Sequence, residues 1–132
     1  MSDLNYEDLL SVLNEKLRDF GNVNGYDISW EEIEYVPTVG TTYLSQFFLL
    51  GESDAFRKGN RELGIYQINV NVSLNAGRGV ALRIVDSIRS YFPRTLSISG
   101  KCRVGIVKSY MSSPQRDGSW YAEILNFQWE AM

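Results

Sequence analysis

Gly77 and Gly79, in the stretch SLNAGRGVALRIVDSIRSYF (residues 73–92), stand between a strand-like run and a helix-like run. A nucleotide-binding loop would cradle a phosphate at such a place. A dinucleotide fingerprint needs a third small residue three positions after Gly79, but Leu82 is there. About twenty residues on, where a ribose-binding acid belongs, the chain reads SISGK, with no acid. GRGVALR also lacks the Gly-Lys-Ser/Thr of a P-loop. The glycines therefore read as a sharp turn into a helix, with Gly79 near its cap.

Other chemistry finds little support. Histidine is absent, which removes Ser-His and Cys-His nucleophile pairs and all histidine-containing metal sites. Cys102, the single cysteine, cannot make a zinc site or an internal disulfide, and in a strand it reads as a small buried filler. Glu31, Glu32 and Glu34 in WEEIEYV have the oxygen ligands of a hard cation or a carboxylate pair. On an extended piece, however, only Glu32 and Glu34 share a face, and no second acidic cluster completes a two-metal site. They read as a solvated charge run. Trp120, Tyr121, Phe127 and Trp129 crowd one stretch beside Glu123 and Glu130, whereas an RNA-binding sheet sets its rings beside basic residues. No enzyme, cofactor or metal is expected.

The elements that position these residues follow from periodicity. Residues 3–20 carry Leu9, Leu10, Leu13, Leu17 and Phe20 at helical spacing, with Ser2, Asp3 or Asn5 as cap and Gly21 as the C′ residue. NVNGYDISW gives a turn and a short extended piece, and Pro37 and Gly40 mark a loop. TTYLSQFFLL (41–50) reads as a strand, and residues 51–62 as a charged, mobile connection. Over residues 64–74, Tyr66, Ile68, Val70, Val72 and Leu74 alternate with Gln67, Asn69, Asn71 and Ser73, so one strand face is apolar and the other polar without charge. Residues 78–92 form a second helix, stopped by Pro93. CRVGIVKSYM and WYAEILNFQWEA are two more strands, joined through SSPQRDGS by a connection longer than a two-residue turn.

The order α-β-β-α-β-β predicts an α+β fold: a mixed, mainly antiparallel sheet of about four strands with two helices on one face, in a single domain over 1–132. No run is long enough to span a membrane, and the acidic start MSDLNYEDLL is unlike a signal peptide. The net charge of −3 hides a split. Residues 1–56 hold eleven Asp or Glu against Lys16 and Arg18, while 57–108 hold ten Lys or Arg against Glu62 and Asp86. Complementary patches of this kind suit protein–protein contact better than nucleic-acid binding. The candidate interface residues are the amides Gln67, Asn69 and Asn71, the basic Arg57, Lys58, Arg61 and Arg78, and Trp120 as an aromatic anchor.

GIYQINVNV (64–72), GRG opening a helix that ends in YF, the isolated Gly100, SSP…DGSWY and FQW together resemble the tail terminator (tail completion) proteins of long-tailed bacteriophages. The matching positions are Gly64, Tyr66, Gln67, Asn69 and Val70, then Gly77, Gly79, Phe92 and Gly100, then Pro114, Asp117, Gly118, Trp120 and Trp129. ISW (28–30) with Pro37 fits the family's N-terminal half. The resemblance implies an α+β subunit of a hexameric ring at the head-proximal end of the tail tube. That ring halts tube polymerisation and offers a surface for head–tail joining. It further implies a virion tail protein assembled in the host cytoplasm. Its partners are copies of itself, the tail tube protein and a head-closure or connector protein, and DNA passes through without specific binding. No catalytic residue is carried over. The length and charge of loop 51–62 depart from the family pattern and leave its partner open. A small ligand-binding or enzymatic domain, or another connector or tube subunit, is the alternative.

Overall fold

A computed structural model describes residues 5–50, 63–98 and 102–131. The expected mobile loop with Arg57, Lys58 and Arg61, together with Gly100 and the side chain of Cys102, lies outside the described residues. The elements are α1 (Tyr6–Asn24), β1 (Asp27–Ser29), β2 (Tyr43–Leu50), β3 (Leu63–Ser73), α2 (Arg78–Tyr91), β4 (Thr95–Ile98), β5 (Cys102–Asp117) and β6 (Trp120–Ala131). They form an α+β fold around one six-stranded sheet ordered β1-β2-β3-β6-β5-β4, which curls. The expectation of about four strands is corrected to six. The two additional strands, three and four residues long, are too short to show a period of two. All pairs are antiparallel except β1 with β2.

Asn5 caps α1, its Oδ1 accepting from the Asp8 N–H at 3.2 Å. The helix does not stop at Gly21 as the sequence suggested but at Gly25, whose φ of 77° gives the left-handed turn. Gly21 is buried inside the helix, where a Cβ would come 2.9 Å from Ile28 Cδ1. Its smallness serves close packing, not termination. In α2 the positive φ of 91° belongs to Gly77, the N-cap, not to Gly79. The expected long connection after Met111 is also corrected. β5 runs on through Pro114, which sits at a bulge between Ser112 and Gln115, and only Gly118 and Ser119 link Asp117 to Trp120.

The register divides the sheet into two faces. Leu44 of β2, Tyr66, Ile68, Val70 and Val72 of β3, and Leu125, Phe127 and Trp129 of β6 share the near face. They pack with Leu9, Leu13, Leu17 and Phe20 of α1 and Ala81, Ile84, Val85 and Ile88 of α2 in one core. Burying each large aliphatic side chain contributes about 1.5–3 kcal/mol, so this layer holds the domain together. Gly64 lets the Trp129 ring cross β3. A methyl there would lie 2.5 Å from both the Leu49 carbonyl oxygen and the ring. The fully buried ring stacks on Phe48, 5.9 Å between centroids. Tyr66 ties sheet to helix, its hydroxyl donating to Asn14 Oδ1 at 2.6 Å.

Candidate assembly surfaces

The far face of the sheet carries the amides that the sequence singled out. Gln67 pairs across β6 with Asn126, Asn69 with Ile124, and Asn71 with Ala122. Asn126 and Gln128 extend the amide row onto β6, which the sequence reading missed because Ala122 and Ile124 interrupt it. Both of those apolar residues are buried yet lie outside the helix-side core.

The three candidate amides are not equivalent. Asn71 is buried, and its amide donates to Ser45 Oγ at 2.9 Å and toward the Tyr43 carbonyl at 3.3 Å. Asn126 mirrors it on the adjacent strand, donating to Ser112 Oγ at 2.8 Å and toward the Tyr110 carbonyl at 3.4 Å. These two residues bind strand to strand. Gln67 and Asn69 are half-buried, and Asn69 Oδ1 has no hydrogen-bond partner.

Trp120 closes one end of this face. Its ring meets Tyr43 edge-on at 5.0 Å, and Tyr43 meets Tyr35 at 5.1 Å. Tyr35 donates to Asp27 Oδ2 at 3.2 Å. Burial, followed by this carboxylate, raises its pKa, while burial and Asp117 raise that of Tyr43. Trp120 thus fastens the loop between β1 and β2 to the sheet.

Arg78, the first residue of α2, is 61% exposed, but its Nε bonds Glu123 Oε2 at 2.7 Å. Glu123 is wholly buried on the near face and also accepts from the Tyr121 hydroxyl. That bond to Glu123 raises the pKa of Arg78; burial, then Glu123, raises that of Tyr121. A carboxylate already bound by the first residue of α2 opposes phosphate at the helix start. The three glutamates after Trp30 form no site either. Glu31 and Glu32 lie in a turn rather than on an extended piece, and Glu31 Oε1 accepts from the Phe48 N–H at 2.9 Å, capping the outer edge of β2. Among the described residues no three His, Cys, Asp or Glu are grouped to hold a metal, and no helix is long and apolar enough to cross a membrane.

With no catalytic constellation assembled among the described residues, the geometry suits a building block. The model of the phage tail terminator protein family matches residues 8–126. The chain belongs to this family of phage tail structural proteins. No curated protein matches the terminator chain. One solved structure aligns with a TM-score of 0.77 over 98% of this chain and 96% of that chain, at 15% identity. At that identity the likeness shows the fold alone. The family makes this terminator a component of the virion tail, with a structural role there.

Proposed function

We propose that this terminator caps the head-proximal end of the tail tube as a homo-oligomeric, six-fold ring. The ring covers the growing end, presents a face on which the next tube subunit cannot dock, and leaves a surface for the head-closure or connector protein. Assembly takes place in the host cytoplasm. Family membership over residues 8–126 carries the reading. Two features of the molecule support it. A closed ring needs heterologous contacts, in which two different surfaces of each subunit meet, and the acidic front and basic middle of the sequence offer opposite charges for them. A ring crossed by DNA also gains from a lining that does not grip phosphate, and the amide row of Gln67, Asn69 and Asn126 at the middle of the far face has that chemistry.

Negative-stain microscopy of the purified protein with isolated tail tubes tests the proposal. Rings of tube diameter at one tube end, and tubes that stop lengthening once capped, are expected. Tubes that bind no protein and grow unchecked would overturn it.

A further inference from the structure

The two ends of the sheet differ in a way that the ring leaves unexplained. At the β4–β5 end, α2 finishes over a groove of about 400 Å³. Its walls carry Arg89 and Arg94, its lining includes Phe92, Ile106 and Phe127, and among the described residues none of the lining is acidic. The Arg89 Nε donates to Ser109 Oγ at 3.0 Å, which holds that cation in place, whereas Lys108 pairs with Gln128 and lies over the Tyr110 ring, so its ammonium is turned to the far face. Val107, between the strand residues on either side of the bulge, stands 53% exposed at the rim.

At the β1–β2 end, the connection from Glu31 to Gly40 shows the opposite chemistry. Glu32 and Glu34 are exposed, and Ile33 and Val36 are 64% and 79% exposed beside them. Apolar side chains bared in a group, among charges of one sign, mark a contact surface. The loop is held in shape, since Tyr35 is tied to Asp27 and stacked on Tyr43. Glu32 has a φ of 67°, a left-handed conformation that costs a non-glycine residue free energy and tends to cluster where a surface has work to do.

We propose that the acidic, apolar loop Glu31–Gly40 of one subunit seats in the cationic groove of a second copy. This rests on the ring reading above and names its joint. Charge and apolar character match on both sides. The two features also sit on different strands of the six-stranded sheet, the loop between β1 and β2 and the groove on β5 and β6, with β3 between them. A loop seated in the groove of a neighbour is a heterologous contact, and its repetition closes a ring when the rotation per subunit divides a full turn. Each partner is desolvated against an apolar surface, which strengthens the charge pairs relative to open water.

The test uses the full chain with tail tubes. Arg89→Glu with Arg94→Glu, or Glu32→Lys with Glu34→Lys, is expected to lower ring yield at least tenfold in native mass spectrometry and microscopy, and combining the two reversals to restore it. In a Cys102→Ser background, Ile33→Cys protein mixed with Val107→Cys protein is expected to form a disulfide-linked heterodimer, while neither does so alone. Both sites are exposed, so these variants fold. If reversed variants still form rings and no cross-link appears, the joint is overturned and the ring stands. If reversed rings form but no longer hold the tube, the groove serves the tube protein and the joint is equally overturned. If the unaltered protein caps no tube, the ring reading falls and the joint with it.

Discussion

On the near side of β3 and β6, Tyr66, Ile68, Leu125 and Phe127 make an apolar row closed over by both helices; on the far side of the same strands, Gln67, Asn69, Asn126 and Gln128 make an uncharged polar row. One row gains its stability from exclusion of water. The other gains strand-to-strand hydrogen bonds from Asn71 and Asn126 but keeps half-buried amides in reserve. Alternation at a period of two lets two strands serve both purposes, because each substitution reaches only one face. Stability and assembly can thus be altered separately.

The largest effect expected is on the near face. Trp129→Ala empties the space behind Gly64 and should cost about 3–5 kcal/mol, read as a lower urea midpoint. Gly64→Val forces side-chain atoms into the Leu49 carbonyl and the Trp129 ring, and loss of soluble protein is the expected outcome. A penalty of similar size from Asn69→Ala on the far face would break the comparison.

Next come the two strand-binding amides. Asn71→Ala removes the donor to Ser45, and Asn126→Ala the donor to Ser112, each at a cost of about 1–2 kcal/mol in urea denaturation. Because the two pairs share no partner, the double variant should show the sum of both losses. An effect near zero for either would mean that the far face contributes nothing to stability.

Tyr66 sharpens the near-face side through pH. Burial pushes its hydroxyl well above the ordinary tyrosine range, with Arg18 pulling slightly the other way. Below about pH 10 both folded and unfolded chains keep this proton, so its contribution is intact. Above that, the unfolded chain ionises first, and stability falls with rising pH until Tyr66 itself titrates. Tyr66→Phe should cost about 1 kcal/mol at neutral pH through the lost bond to Asn14. It should also make the alkaline fall shallower. Some fall remains, since Tyr35, Tyr43 and Tyr121 are raised as well. An unchanged slope would mean that Tyr66 meets water.

What the residues disclosed in advance follows the same division. The alternation from Tyr66 to Val72 and from Tyr121 to Trp129 sets a face by itself, so the near face was legible before any fold was known. β4 was not, and β1 showed only as a short extended piece, because three or four residues held by one neighbour carry no pattern of their own. Pro114 read as a break, although a bulge admits it, and Gly21 read as a helix end, although Ile28 needs its missing side chain. Arg78 stood out by charge, but its buried partner Glu123 lies 45 residues away. The cationic groove draws on residues 89–94, 106–109 and Phe127. Only the basic excess of the middle of the chain hinted at it.

The smallest effect on stability, and the sharpest on function, belongs to the half-buried amides. A lysine at Gln67 or Asn69 keeps the strand backbone intact and can carry its ammonium out along its flexible stem. The urea midpoint should therefore move by no more than about 0.5 kcal/mol equivalent. Asn71→Lys is a poorer probe, since it would cut the bond to Ser45 and mix folding with function. In a ring the new charge is repeated in every subunit, so DNA crossing the lumen meets a circle of cations in place of amides and is held by its phosphates. Phage carrying Gln67→Lys or Asn69→Lys should assemble capped tails yet eject their genomes more slowly, with the delay shrinking as salt rises. Normal ejection from tails capped by the lysine variants would mean that the far face does not line the passage. The amide row would then be a contact between proteins.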